Sequence, residues 1–106
     1  MDLTGRAALI TGGRRIGAAI ALELARRGMD VALSYNRSRA EADATAAAIV
    51  AAGRRAHVAS ANLAQADECR ALVDGAAEAF GRLDVLINMG SDPNLTLASR
   101  SLAAAV

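Results

Sequence analysis

The chain has 106 residues, with 12 basic against 11 acidic side chains and a formal net charge of +1. Hydrophobic residues make up 54% of it but aromatics only 2%, so the length allows a single domain with a core of Ala, Leu, Ile and Val. Every basic residue is Arg, and His57 and Cys69 are the only residues of their kinds, which excludes an internal disulfide, a Cys/His metal cluster and lysine Schiff-base chemistry.

The charges are interleaved. Glu23 precedes Arg26 and Arg27, and Glu41 and Asp43 follow Arg37 and Arg39, so no basic face suited to nucleic acid is expected. No apolar run approaches the roughly 18 residues of a membrane span. Met1 to Arg6 lacks the basic start and long apolar core of a signal peptide, so the expectation is a soluble cytoplasmic protein.

In chain order, Ala7–Thr11 is an apolar run closing on Gly12-Gly13 and predicts a buried strand entering a tight turn. Ile16, Ile20 and Leu24, with Ala21, Ala25 and Gly28 beside them, predict one face of a helix that Gly28 stops. Val31–Tyr35 is a second strand. Ser38 is a candidate cap for a helix over 39–52, which Gly53 ends. His57–Ser60 is a weaker third strand, and Cys69, Leu72, Val73, Ala76 and Phe80 mark a third helix ending at Gly81. Val85–Asn88 then reads as a strand apolar on both faces.

Strand and helix alternate throughout, which predicts an α/β fold, half of a doubly wound, Rossmann-like parallel sheet. The expected strand order is 3-2-1-4, with the first two helices on one face and the third on the other. A dinucleotide-binding domain over 1–91 is expected, incomplete as such a fold, followed by a tail at 92–106 that could form a short helix.

The first strand-to-helix turn, Thr11-Gly12-Gly13-Arg14-Arg15-Ile16-Gly17, carries the chemistry. Glycines permit a sharp turn and close backbone approach, and the helix that follows aims free N–H groups and its positive end at an anion. A nucleotide pyrophosphate fits that description. A plain connecting loop is the competing reading, and the alternating pattern around the turn favours the ligand.

The second strand ends in Tyr35-Asn36-Arg37-Ser38, where a site for NAD usually places an acid on the ribose 2′-OH. With no carboxylate there, Arg37, Ser38 and Arg15 are candidates to surround a 2′-phosphate, so NADP is expected over NAD. The alternative is that Arg37 and Arg39 pair with Glu41 and Asp43 on a solvated helix start. His57 reads as a strand-edge histidine, Cys69 as core, and Tyr35 as a strand residue near the phosphate end.

Thr11-Gly12-Gly13 with Ile16-Gly17, the Ala61-Asn62-Leu63 turn and the strand Asp84–Gly90 together resemble the short-chain dehydrogenase/reductase family, over about residues 5–91 and in its N-terminal part only. Arg14–Gly17 and Tyr35–Ser38 are most similar to pteridine reductases and 3-oxoacyl-carrier-protein reductases. The resemblance implies a cofactor loop at Gly12, Ile16 and Gly17, and an adenine-side turn at Asn62 and Leu63. It implies a cofactor-flanking segment at Asn88, Met89 and Gly90, with Asn88 steadying the sheet. Gly12 to Gly17 is one residue shorter than the family's turn, and Asn62 stands where the family usually has Asp.

The resemblance also implies hydride transfer between NADPH and a carbonyl. The family's catalytic Ser and Tyr-x-x-x-Lys belong to a following segment that these residues do not contain, so no catalytic residue and no metal ligand is assigned. The expectation is a truncated reductase with a partial dinucleotide surface, inactive alone, whose exposed last strand self-associates or pairs with a related subunit. A non-catalytic nucleotide-binding or regulatory module, and a shortened product without a role of its own, are the alternatives.

Overall fold

The computed structural model describes residues 2–12, 14–36 and 38–89. Four strands and three helices alternate: β1 (Ala7–Thr11), α1 (Arg14–Arg26), β2 (Asp30–Tyr35), α2 (Arg39–Ala51), β3 (Ala56–Ser60), α3 (Ala66–Phe80) and β4 (Val85–Asn88). All pairings are parallel and the sheet order is β3-β2-β1-β4, as expected from the alternation. The expected tail at 92–106 lies outside the described residues.

Because side chains alternate along a strand, β1 feeds two cores. Ala7 and Leu9 point to one face and join Cys69, Leu72, Val73, Ala76 and Phe80 of α3. Ala8 and Ile10 point to the other and join Ala21 and Ala25 of α1, Met29, and Ile49 of α2. Leu9 and Ile10 are both fully buried, each contributing about 1.5–3 kcal/mol of transfer free energy. Cys69 is core, as expected. His57 is half-buried on the edge strand β3, its ring edge-on to Phe80 at 6.4 Å.

Two local expectations are corrected. Ile16 is not on the buried face of α1. It is 64% exposed, and the stripe pressed on the sheet is Gly17, Ala21 and Ala25, with Ile20 and Leu24 flanking it. Small residues let the helix axis approach the sheet, and the larger ones fit only at the sides. Ser38 occupies the position before α2, yet its side chain makes no cap hydrogen bond; only its carbonyl is used, accepting from the Ala42 N–H at 3.3 Å.

The amino ends of the strands are fastened by charge. Asp30, at the start of β2, is buried and accepts from the Arg55 backbone N–H at 3.0 Å and from its Nη2 at 2.8 Å, with Arg54 Nη2 at 3.1 Å. Arg55 also donates to the Phe80 carbonyl and lies over the Phe80 ring at 5.4 Å, tying β2 and β3 to the end of α3. Asp84, just before β4, accepts from the Ala7 N–H at 2.9 Å and from two Arg82 nitrogens at 2.7 Å each, while its own N–H donates to the Ala7 carbonyl. These bonds set the register of β4 on β1.

Candidate nucleotide-binding site

With the fasteners at the amino ends, the carboxyl ends of the strands are open, and there a cleft of about 460 Å³ is found. Its lining comes from the β1–α1 turn (Gly12, Gly17, Ala18), the end of β2 and its exit (Ser34, Tyr35, Asn36, Ser38), the first turns of α2 (Glu41, Ala42, Thr45) and the turn after β3 (Ala61 to Ala64). Ile10 and Leu33 form an apolar floor. In an open parallel sheet this crevice beyond the carboxyl ends is the usual place for a ligand.

The turn at the head of α1 is closed tightly. Gly12 has a φ of +70°, a conformation that residues with a Cβ adopt only under strain. A Cβ added to Gly17 would lie 2.9 Å from the Gly12 carbonyl oxygen. The first turn of α1 is thus held against the end of β1, and its N-terminal end opens on the cleft. That arrangement suits an anion, which helix N–H groups and the helix dipole both favour.

On the far side, the turn after β3 is anchored to β2 by the Ala61 N–H donating to the Tyr35 carbonyl at 2.9 Å. Asn62 organises the turn. Its Oδ1 accepts from the Ala64 N–H at 3.0 Å, its carbonyl accepts from the Gln65 N–H, and its own N–H donates to Glu68 at 2.9 Å. Cys69 Sγ donates to the Leu63 carbonyl at 3.3 Å, joining the turn to the core.

Of the residues expected to bind a cofactor, the cleft brings together Gly12, Gly17, Asn36, Ser38, Asn62 and Leu63. Ile16, Asn88 and Met89 do not line it. Ile16 projects outward from α1, and the other two lie across β1 from the cleft. There the Thr11 hydroxyl donates to Asn88 Oδ1 at 3.0 Å and the Met89 N–H donates to the Thr11 carbonyl, which extends the β1–β4 pairing. Arg15 stands in the first turn of α1. Gly13, Arg37 and Gly90 lie outside the described residues.

Sequence reasoning missed the wall that α2 supplies. Glu41, Ala42 and Thr45 lie one to four positions apart on one face of the helix, but none of them is marked as a binding residue by its chemistry. The Arg39–Asp43 ion pair of the alternative reading forms, at 3.4 Å on the exposed side, while Glu41 lines the cleft. Asp30 and Asp84, two of the carboxylates whose ionisation is shifted, belong to the opposite end of the sheet.

A parallel α/β sheet with a glycine turn at the head of its first helix and a crevice over its carboxyl ends defines a Rossmann-like nucleotide-binding fold. The chain belongs to the short chain dehydrogenase family, whose model matches residues 6–100. It is similar to an uncharacterized oxidoreductase of Methylorubrum extorquens, 48% identical over 87 residues that are 81% of this chain and 35% of that protein. A 3-oxoacyl-[acyl-carrier-protein] reductase of Synechocystis is 43% identical over 99 residues, covering 92% of this chain and 40% of that one. Among solved structures, a short chain dehydrogenase of Burkholderia cenocepacia in complex with NADP has a TM-score of 0.78 and 41% identity, over 99% of this chain and 49% of that chain. The chain spans about a third of the length of the curated relatives first matched.

Proposed function

We propose that these residues form the NADP(H)-binding part of a short-chain reductase acting on a carbonyl. The observation that carries this reading is the joining, in one cleft, of the Gly12–Gly17 turn at the head of α1 and the acid-free end of β2 at Asn36 and Ser38. The close fit of Gly17 on the Gly12 carbonyl leaves the α1 terminus facing the cleft, where it suits a pyrophosphate. Asn36 and Ser38, with Arg15 and Arg37 from the adjoining sequence, would hold the ribose 2′-phosphate. Complexes of similar proteins with NADP, in Burkholderia cenocepacia, and with NADPH, in a metagenomic blue fluorescent protein, support the choice of cofactor.

When bound, the nicotinamide supplies the hydride for reduction of a carbonyl. The chain's own residues bind and orient. They hold no acid–base pair for the reaction: the sequence contains no Lys, and Tyr35 stands at the end of β2 beside the proposed ribose site. The reading is tested by titrating the chain with NADPH and NADH while following nicotinamide fluorescence. Saturable binding with NADPH the tighter ligand is expected; equal affinity, or tighter NADH, would overturn the 2′-phosphate assignment.

A further inference from the structure

Glu68 is not used as its place in α3 suggests. Gln65 stands at the cap position, so Glu68 is three places on, where a carboxylate ordinarily turns back to the N–H of the cap residue itself. Here the Gln65 N–H donates to the Asn62 carbonyl at 3.0 Å instead. Glu68 reaches past it, and its Oε1 accepts from the Asn62 N–H at 2.9 Å. A side chain placed to close its own helix is bonded to the wall of the cleft.

That wall is held unevenly. Ala61 is bonded to β2 through the Tyr35 carbonyl, and Leu63 is held by Cys69 Sγ and by packing on the core beneath α3. Between them, Asn62 is exposed and lines the cleft. Its Oδ1 and its carbonyl accept from the Ala64 and Gln65 N–H groups, bonds that shape the turn without fixing where it sits. Among the described residues, the bond to Glu68 is the one that joins Asn62 to anything beyond residues 61–65. Glu68 itself does not line the cleft.

We propose that Glu68 is a positioning residue for the nucleotide, acting through the Asn62 backbone to hold the wall after β3 at its distance from the head of α1 and the end of β2. This role rests on the nucleotide reading above. A purely structural role, as an extended cap of α3, is the competing one, and the two differ in what they move. A cap steadies the helix and leaves the cleft as it is. A positioning bond sets the affinity for what fills the cleft and leaves the later turns of the helix alone.

The experiment compares Glu68→Ala with Glu68→Gln. Both remove the charge that the N-terminal end of α3 favours, so its effects on the helix and on an anionic ligand cancel between them. Gln keeps an acceptor for the Asn62 N–H and Ala keeps none. Glu68→Ala should therefore bind NADPH about three- to tenfold more weakly than Glu68→Gln, the worth of one hydrogen bond, and adenosine 2′,5′-bisphosphate should show the same ratio. The Asn62 amide should exchange hydrogen faster in Glu68→Ala, while the later turns of α3 exchange alike in both. Equal affinities in the two variants, or a loss in Glu68→Ala accompanied by faster exchange throughout α3, would make Glu68 a cap of its helix and overturn its positioning role, leaving the nucleotide site standing. Failure of the unaltered chain to bind either nucleotide would overturn the nucleotide reading itself.

Discussion

Gly17 packs against Gly12 so closely that the position of its missing Cβ lies 2.9 Å from the Gly12 carbonyl oxygen. The contact is to backbone, so nothing flexible can give way; either the turn or the head of α1 must move. Gly17→Ala is expected to cost about 1–3 kcal/mol of stability, as overpacking does elsewhere. Because the displaced group is the proposed phosphate cradle, NADPH affinity should fall at least tenfold. Urea denaturation and a fluorescence titration read the two effects, and an unchanged affinity would show that the turn does not hold the phosphates.

The charge at the cleft should set the choice between the two cofactors. A carboxylate at Glu41, on the α2 wall, opposes a doubly charged 2′-phosphate. Glu41→Gln should therefore raise the preference for NADPH over NADH by a few fold at low salt, with the gain fading as ionic strength rises. Arg37→Asp should move the preference the other way and reverse it. If both substitutions left the ratio of affinities unmoved, the 2′-phosphate would have to lie elsewhere.

Acid should loosen the opposite end of the sheet. Burial works to raise the Asp30 carboxyl, but the Arg55 N–H and guanidinium and the Arg54 charge outweigh it and hold the group below its ordinary value. Asp84 is held low first by its bonds from Arg82, against some desolvation, and then by the Ala7 N–H and the nearby Arg82 and Arg6 charges. Both groups bind protons less readily folded than unfolded. Their contribution is complete above the unfolded carboxylate value, about 3.9, and is lost as pH falls through it toward the folded values. Asp30→Asn should cost about 2 kcal/mol at neutral pH, less than a fully buried pair because Arg55 is largely solvated, and should flatten the acid limb of a stability-against-pH curve. A mutant that unfolds in acid with the parent's profile would exclude Asp30 as the source.

Most of the architecture is legible in the residues, and the parts that are not share one cause. Apolar runs at Ala7–Thr11 and Val85–Asn88, with glycines closing each helix, are enough to place four parallel strands and both faces of the sheet. Ile16 misleads because hydrophobic periodicity weighs size, whereas contact with the sheet selects the small residues Gly17, Ala21 and Ala25 one position on. In the cleft, the glycine turn, Asn36, Ser38 and Asn62 stand out by chemistry. Ala42, Thr45 and Leu33 do not, since a wall is chosen for shape and its residues look like any others. Asn88 and Met89 extend the β1–β4 pairing, in keeping with the sheet order that the alternation of strands and helices predicts.

The chain alone should not reduce carbonyl compounds. Among its 106 residues there is no Lys to lower the pKa of a tyrosine, and its one Tyr is on the cleft wall beside Ser34 and Asn36. NADPH consumption with a panel of ketones and pterins should stay at the background of the buffer. Turnover that survives repurification, and is lost in Tyr35→Phe, would instead make Tyr35 an acid.

Association should follow from β4. The strand is half-buried along its whole length, and on its outer edge no described strand pairs with it. Backbone groups on that edge, which no strand among the described residues meets, lie beside Val85, Leu86 and Ile87 and favour contact with a second copy. Light scattering should show mass rising with concentration, and the β4 amides that point away from β1 should gain protection from hydrogen exchange over the same range. A monomer at all concentrations, with those outward-facing amides exchanging freely, would refute it.

The pairing of β1 with β4 also bears on how the chain reaches this fold. Thr11 and Asn88 are separated by 77 positions, while β2 follows β1 after a single helix. Closing the longer loop costs about 1 kcal/mol more in chain entropy than closing the shorter one. On a ribosome, β1 would pair with β2, and then β2 with β3, well before Asn88 emerged, leaving the opposite edge of β1 open during synthesis. The central strand of the finished sheet is therefore an edge strand for much of the chain's early life. Docking of β4, with Asp84 closing on Ala7, is the step expected to set the folding rate, and the interval before it is when this chain is most exposed to misassembly.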